Sequence, residues 1–288
     1  MLSTKEPILS VRDMRVEFKI KKQNALPWHQ PDILRAVKGV SFDLAEGETL
    51  GIVGESGCGK STLARAIIRM IPSQGGEVFW QGRDLMKMNE KELLGIRKEI
   101  QMIFQDPLAS LNPRLTAGQI IAEPLKTHYP NTSKDEVKKR VRELMEKVGL
   151  SARMINRYPH EFSGGQCQRI GIARALITNP KMIICDEPVS ALDVSVQAQV
   201  VNLLMDLQKE LGLSLLFIAH DLSVVKHISN RIMVLEFGDI AEIGDAHDVI
   251  HNPQSPYTKE LINAVPIPDP IAERKRIAER RAAEANAQ

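Results

Sequence analysis

Short apolar runs alternate along the chain with longer segments whose apolar residues recur every three or four positions. Each short run is typical of a β-strand that is buried on both faces. The clearest runs are residues 50–53, 100–104, 182–185 and 213–219. Because helical segments separate them, we predict an α/β fold whose core is a parallel sheet covered by helices.

The longer segments predict amphipathic helices. For residues 134–148, Ser133 and Glu136 predict a capping box at the start, and Gly149 predicts the end. The apolar face of this helix consists of Val137, Val141, Leu144, Met145 and Val148. A second stripe ends at Gly212, directly before a predicted strand, and consists of Val200, Leu203, Leu204, Leu207 and Leu211.

The last part of the chain follows a different pattern. Residues 231–243 predict two short strands joined by a turn at residues 238–239. A main domain at residues 1–250 is therefore expected, followed by a C-terminal extension at residues 251–288. The end of this extension, residues 271–288, predicts an exposed helix or a frayed tail, with weak contact to lipid head groups as the alternative. A linker is predicted in the extension because prolines interrupt it at Pro253, Pro256, Pro266, Pro268 and Pro270.

The composition favours an ordinary globular protein. Of the 288 residues, 43% are hydrophobic, which is ample for a buried core. The 38 basic and 36 acidic side chains nearly balance, so no nucleic-acid partner is predicted. Cys58, Cys167 and Cys185 are too few and too widely spaced to predict a disulfide framework or a zinc site. The charged start and the lack of an apolar run of about 20 residues indicate neither a signal peptide nor a membrane span, so we expect a cytoplasmic protein.

Residues 54–61 read GESGCGKS and match the P-loop pattern in full, between an apolar strand and a helical segment. In a P-loop the glycines let backbone N–H groups point at phosphate oxygens, and the following helix adds its positive end. We expect Lys60 to bind the β and γ phosphates and the Ser61 hydroxyl to bind Mg²⁺. A plain glycine-rich turn is the alternative, and the strand–loop–helix context argues against it. The predicted nucleotide-binding residues are Gly54, Glu55, Ser56, Gly57, Cys58, Gly59, Lys60, Ser61 and Thr62.

Residues 182–187 form an apolar run that ends in two carboxylates. Asp186, at the predicted strand end, is placed to hold Mg²⁺ through water, and Glu187 is placed to accept a proton from the attacking water. Acidic residues also follow strands as solvated turn residues, so this pair alone would be ambiguous. The P-loop upstream favours the hydrolytic interpretation.

Residues 162–166, FSGGQ, precede Asp186 by about twenty residues and resemble the signature motif of ABC ATPases, with Phe162 in place of the usual Leu. Companion motifs occur in the family's order, as a Q-loop, a D-loop and a switch histidine at Gln105, Asp193 and His220. The resemblance implies a RecA-like P-loop NTPase fold. Such a fold has a parallel-sheet core, an antiparallel β subdomain and an inserted α-helical signature subdomain, here at about residues 106–176.

The resemblance also implies a role for each matched residue. His220 would contact the γ phosphate and orient Glu187, and Gln105 would sense Mg²⁺ and pass closure to a permease. An aromatic residue ahead of the P-loop usually stacks on adenine, which makes Phe18 the candidate and Trp28 the weaker alternative. The signature would act on ATP held by a second subunit, so a dimer is implied, and the residues concerned are Ser163, Gly164, Gly165 and Gln166.

Three segments unrelated to ATP chemistry resemble the oligopeptide and dipeptide importers, namely residues 104–114, 157–162 and 251–258. In that branch ATP and Mg²⁺ drive peptide uptake, two different ATPase subunits lie beneath two permease subunits, and a peptide-binding protein lies outside. The resemblance therefore implies a heterodimer that is peripheral to the cytoplasmic face of the inner membrane. Many members hold an iron–sulfur cluster in a later cysteine-rich segment. No cysteine follows Cys185 here, so no cluster is expected.

Two alternatives stay open. Related subunits serve importers of nickel, glutathione or antimicrobial peptides, and no residue of this chain is expected to contact the solute. Some soluble, non-transport ABC ATPases insert a long coiled coil between P-loop and signature, whereas about a hundred residues intervene here. Others join two cassettes in one chain, and no internal repeat is visible here. The pattern therefore favours transport.

Overall fold

Two β-sheets and nine α-helices form the described parts of the chain, residues 6–20 and 32–264 of this computed structural model. The strands are β1 Leu9–Ile20, β2 Asp32–Leu44, β3 Thr49–Val53, β4 Gly75–Trp80, β5 Arg83–Asp84, β6 Ile100–Ile103, β7 Met182–Asp186, β8 Ser214–Ile218, β9 Arg231–Glu236 and β10 Asp239–Asp245. The helices are α1 Lys60–Ile67, α2 Glu90–Arg97, α3 Ala117–His128, α4 Lys134–Lys147, α5 Gly164–Leu176, α6 Val194–Leu211, α7 Leu222–Ile228, α8 Ala246–His251 and α9 Pro256–Ala264.

The larger sheet has the strand order β10-β9-β3-β8-β7-β6. All neighbouring pairs in it are parallel except β10 with β9 at one edge. Every residue of β3, β7 and β8 is buried, as expected for strands covered on both faces. The predicted α/β core is therefore confirmed, and the carboxyl ends of these three strands share one edge of the sheet.

The smaller sheet is antiparallel, with the order β2-β1-β4-β5. Its buried residues Leu9 and Trp80 belong to the same apolar cluster as Leu63 and Ile67 of α1. The cluster continues into the larger sheet through Ile52 of β3. The predicted antiparallel β subdomain is confirmed, and its packing fixes α1 against both sheets.

Three helices, α3, α4 and α5, follow β6 and precede β7 in the chain. They pack against one another. Their buried side chains include Ile121, Leu125, Val141, Met145 and Ile170. These helices lie within the insertion predicted at residues 106–176, whose limits as a domain stay a prediction. α5 also contacts β6 and α6, so this helix packs directly on the parallel core.

Two details of the helix predictions are wrong. Ser133 caps α4, since its Oγ accepts the N–H of Glu136 at 3.3 Å. The Glu136 carboxylate does not return a bond to the cap but accepts one from Arg140 at 2.6 Å, because a cation one turn along the helix competes for it. Leu211, predicted in the buried stripe of α6, is 43% exposed because it lies in the last turn.

Two details of the C-terminal part also differ from prediction. The turn between β9 and β10 is formed by Phe237 and Gly238, with φ values of +44° and +87°, one residue earlier than expected. Positive φ at both central residues matches the twist of a two-residue hairpin. The predicted linker contains α9, because Pro256 starts this helix at a position where proline is tolerated. Residues 265–288, with the other predicted prolines and tail, lie outside the described residues.

Within residues 6–20 and 32–264, no helix combines the length and apolar character that a membrane crossing requires.

Candidate functional site

The P-loop connects β3 to α1 in a conformation that needs glycine at two positions. Gly54 has a φ of +158° and Gly59 a φ of +107°. A Cβ at Gly54 would lie 2.1 Å from the carbonyl oxygen of Leu235, and one at Gly59 would lie 2.2 Å from that of Ala36. Because no real Cβ tolerates such distances, the loop can pack against β9 and β2 only where side chains are missing.

Lys60 is the first residue of α1, and its side chain is almost fully buried. Its Nζ donates hydrogen bonds to the carbonyl oxygens of Gly54 at 2.7 Å and Glu55 at 2.8 Å. The ammonium group therefore lies inside the curve of the loop, beside the positive N-terminal end of a helix. This combination is suited to binding an anion such as a phosphate group.

Asp186, at the end of β7, is fully buried and contacts α1. Ser61 Oγ donates a hydrogen bond of 2.5 Å to Asp186 Oδ1, and Arg65 Nη2 lies 3.3 Å from Oδ2. Hydroxyl and carboxylate oxygens are the ligands that Mg²⁺ prefers, so the two residues fit that ion. Gln105 has no hydrogen bond to either of them in the described part of the chain, and its role toward Mg²⁺ stays a prediction.

Glu187 follows β7 in a left-handed backbone conformation, with a φ of +47°. This conformation costs a non-glycine residue roughly 1–2 kcal/mol and is held here by the bond from its N–H to the carbonyl of Ile218 at 3.0 Å. Gln105 Nε2 donates a hydrogen bond of 3.1 Å to Glu187 Oε2, and His220 Nδ1 lies 3.4 Å from the same oxygen. The side chains of Gln105 and His220 therefore meet at the carboxylate of Glu187, the predicted general base. The strained backbone of Glu187 is also typical of a functional site.

The signature segment begins α5. Ser163 Oγ accepts the N–H of Gln166 at 3.3 Å, and the Gln166 side chain accepts the N–H of Ser163 at 3.0 Å. Ser163 and Gly164 are exposed, whereas Phe162 is buried, so the aromatic side chain replaces the usual Leu in an apolar position. A Cβ at Gly165 would lie 2.4 Å from Val196 Cγ1, so the glycine allows α5 to pack closely on α6.

The D-loop residue Asp193 precedes α6 and makes no side-chain capping bond. It is exposed, and its neighbour Val194 is 81% exposed.

A cavity of about 450 Å³ opens beside the P-loop. Phe18, the candidate for adenine stacking, is 40% exposed and pairs across the strands with Leu34, which lines the cavity, but Phe18 itself does not line it. Trp28 lies outside the described residues. The lining residues are Ile33, Leu34, Arg35, Ala36, Lys38, Gly57, Cys58 and Phe237. Phe237 is the aromatic residue of this set, and sequence reasoning missed it because it belongs to a distant hairpin.

Cys58 is nearly buried within the P-loop. Burial raises the pKa of its thiol, and the charge of nearby Lys60 opposes the rise without cancelling it. The thiol is therefore less ionised at neutral pH than an ordinary cysteine.

Arg65 and Tyr257 are the other residues at the site that sequence reasoning missed. Arg65 lies within α1, where a basic residue fits any solvated helix face, and its contact with Asp186 depends on the packing of α1 against β7. Tyr257 contacts the P-loop at Glu55 from the far end of the chain. Neither contact has a signal in local sequence.

Comparisons with known proteins agree with this geometry. The family model for "ABC transporter" matches residues 37–190, and the model for "Oligopeptide/dipeptide transporter, C-terminal region" matches residues 241–288. The chain is 60% identical to the oligopeptide transport ATP-binding protein OppF of Salmonella typhimurium over 96% of this chain and 83% of the relative. It is 62% identical to OppF of Haemophilus influenzae, over the same shares of the two chains.

Among solved structures, the dimeric post-hydrolysis state of the ATP-binding cassette MJ0796 bound to ADP and Pi matches with a TM-score of 0.73. The match has 31% sequence identity and covers 83% of this chain and 98% of that chain. Together with the parallel core, the antiparallel sheet and the P-loop, these matches identify the fold as that of an ABC ATPase. The chain belongs to the ABC transporter family, as an ATP-binding subunit of its oligopeptide and dipeptide importer branch.

Proposed function

We propose that the chain is the ATP-hydrolysing subunit of an oligopeptide importer and that hydrolysis occurs between its P-loop and Glu187. The observation that carries this proposal is the convergence of Gln105 and His220 on the Glu187 carboxylate, beside the contact of Ser61 with Asp186. The names of the OppF relatives support the peptide substrate. Nickel, glutathione and antimicrobial peptides remain the alternative solutes.

The chemistry follows from the positions of these side chains. Lys60 and the N–H groups of the loop and of α1 bind the phosphates of ATP, and Glu187 accepts the proton of the attacking water. His220 and Gln105 hold the carboxylate in place, so that it meets the water in one orientation. Ser61 and Asp186 would hold Mg²⁺, which neutralises charge on the phosphates when it is bound.

The complete site requires a second subunit in this proposal. Ser163 and Gly164 are exposed at the N-terminal end of α5, which favours contact with an anion outside the chain. The solved MJ0796 cassette with ADP and Pi is described as a dimer, which supports a similar pairing here. We propose a different ATPase subunit as the partner, on the resemblance to importers that pair two such subunits.

A permease is proposed to bind next to Gln105. A groove of about 540 Å³ lies between the end of α1, β6 and α3, and its lining includes Phe104, the residue before Gln105. Met70, at one side of the groove, is 49% exposed. Exposed apolar groups beside the residue that contacts Glu187 would let a permease sense the state of the ATP site. Two permease subunits and an external peptide-binding protein would complete the importer, with this chain peripheral at the cytoplasmic face of the inner membrane.

Membrane retention and uptake test this proposal together. The chain is produced with its permease and partner ATPase genes, or without the permease, and membranes are washed before the bound protein is measured. We expect retention only with the permease, and peptide uptake that is lost in the Glu187→Gln variant. Equal retention without the permease, or uptake that continues in that variant, would contradict the proposal.

A further inference from the structure

One hydrogen bond joins the C-terminal region to the P-loop. The N–H of Glu55 donates to the hydroxyl oxygen of Tyr257 at 3.2 Å, across 202 residues of sequence. Tyr257 is the second residue of α9, and its ring is half-buried against the apolar cluster that includes Val234 and Val249. The contact therefore links the two regions that the two family models match separately.

The start of α9 is held firmly in place by Glu242 of β10. Its carboxylate accepts the N–H of Gln254 at 2.9 Å through Oε1 and that of Ser255 at 3.0 Å through Oε2. A carboxylate in this position also interacts favourably with the positive end of the helix. Thr258, next to Tyr257, is fully buried. The tyrosine hydroxyl is thus presented to the P-loop from a support with little freedom to move.

The same P-loop residue is held from its other side by Lys60. Lys60 Nζ donates to the carbonyl oxygen of Glu55 at 2.8 Å, while the N–H of Glu55 is bonded to Tyr257. When Lys60 turns toward a phosphate, its bond to the carbonyl is weakened or lost. The bond from the Glu55 N–H to Tyr257 does not involve Lys60, so it can persist when Lys60 changes partners.

We propose that Tyr257 is a positioning residue, which keeps the first turn of the P-loop in the conformation that accepts ATP while Lys60 changes partners. This inference rests on the proposed role of the P-loop in nucleotide binding. Without the hydroxyl, the loop spends part of its time in other conformations. ATP then binds only those molecules whose P-loop is in the conformation that accepts it. The apparent affinity for ATP therefore falls. The turnover number changes little, because Tyr257 has no contact with Glu187 or His220 in the described structure.

The test is Tyr257→Phe in the assembled transporter, since this change removes one hydroxyl and keeps the ring. Losing a single neutral hydrogen bond predicts a KM for ATP that is about fivefold higher, with kcat within about twofold of the parent. Tyr129→Phe is the matched control, because Tyr129 is exposed at the end of α3 and lies outside the site. A second variant, Glu242→Gln, weakens the support of α9 and should raise KM in the same direction by a smaller factor.

The outcomes separate this inference from the proposed function. An unchanged KM in Tyr257→Phe, or a fall in kcat with KM unchanged, overturns the positioning role. A fall in the unfolding temperature without nucleotide, with no change in KM, also overturns it, because the contact would then be only structural. If the parent complex binds no ATP, or Lys60→Ala binds it equally well, the proposed function itself fails.

Discussion

Ser61 Oγ and Asp186 Oδ1 are joined by a hydrogen bond of 2.5 Å, although 125 residues separate them in the sequence. The bond links the first turn of α1 to the end of β7 and satisfies a carboxylate that is fully buried. Arg65 supplies a second partner at 3.3 Å. Because both oxygens lie at the end of the P-loop, Ser61 and Asp186 would hold Mg²⁺ there, with the serine hydroxyl keeping its proton.

Ser61→Ala should weaken the binding of Mg²⁺ more than the binding of the nucleotide itself. The variant removes one oxygen ligand, so the Mg²⁺ concentration for half-maximal hydrolysis should rise roughly tenfold or more. The measurement is a Mg²⁺ titration of ATPase activity, paired with nucleotide binding in EDTA. Binding in EDTA serves as the internal control and should change little, since Lys60 and the loop N–H groups remain. An unchanged Mg²⁺ titration would remove Ser61 from the metal site.

Glu187→Gln should bind ATP and hydrolyse it about 10²- to 10⁴-fold more slowly. The amide can still accept a bond from Gln105, so the loop around it should keep its shape, but it cannot accept a proton from water. Single-turnover hydrolysis and the size of the ATP-bound complex, measured by light scattering, report the two effects. The ATP-bound dimer should accumulate.

A matched variant for this experiment is Glu210→Gln. Glu210 is exposed and pairs with Lys147 at 2.6 Å on the surface, where a single ion pair contributes little. It should hydrolyse ATP at the parental rate. Full turnover by Glu187→Gln would mean that another group is the general base.

Local sequence was sufficient to predict the features in which one short segment determines both structure and chemistry. The P-loop combines an apolar strand, glycines and a helix within a few residues, so its position between β3 and α1 was predictable. The buried strands β7 and β8 were predictable for a similar reason, since almost every residue in them is apolar. The order of the strands in the larger sheet, β10-β9-β3-β8-β7-β6, was not predicted, because periodicity within a segment does not show which strands are neighbours.

The remaining features depend on contacts between distant residues. Arg65 looks like any basic residue on a helix, and Tyr257 like any tyrosine in a short helix, until the fold brings them to Asp186 and Glu55. Glu136 shows a different limit, because the Ser133 N–H and the Arg140 guanidinium were both local partners within its range, and the sequence pattern does not decide between them. Proline was read as a helix breaker at Pro256, where it starts a helix instead.

Modification of Cys58 by a bulky thiol reagent should block nucleotide binding, but slowly at neutral pH. Burial raises the pKa of this thiol, so only a small thiolate fraction reacts at pH 7 and the rate should increase as the pH rises above the ordinary thiol range. ATP should protect the thiol, because it fills the loop around it. Labelling is followed by mass spectrometry and nucleotide binding by titration. Cys58→Ser should keep its nucleotide binding after the same treatment, since Cys167 and Cys185 are buried and do not line the cavity that Cys58 lines. Unchanged ATP affinity after complete labelling of Cys58 would contradict its place in the site.

Ser163→Arg should separate nucleotide binding from hydrolysis. The change leaves the chain's own P-loop intact but puts a long cation where the partner's phosphates are expected, so ATP binds and hydrolysis across the dimer falls.

Ser163 also caps α5, and loss of an N-cap costs about 1 kcal/mol of stability. Ser133→Arg is the matched control, because Ser133 caps α4 through a bond of the same length, 3.3 Å, far from any motif. Both variants should lose similar stability in urea unfolding, and only Ser163→Arg should lose ATPase activity in the assembled complex. Equal activities in the two variants would show that the signature serine acts only as a helix cap, and that the second subunit does not use it.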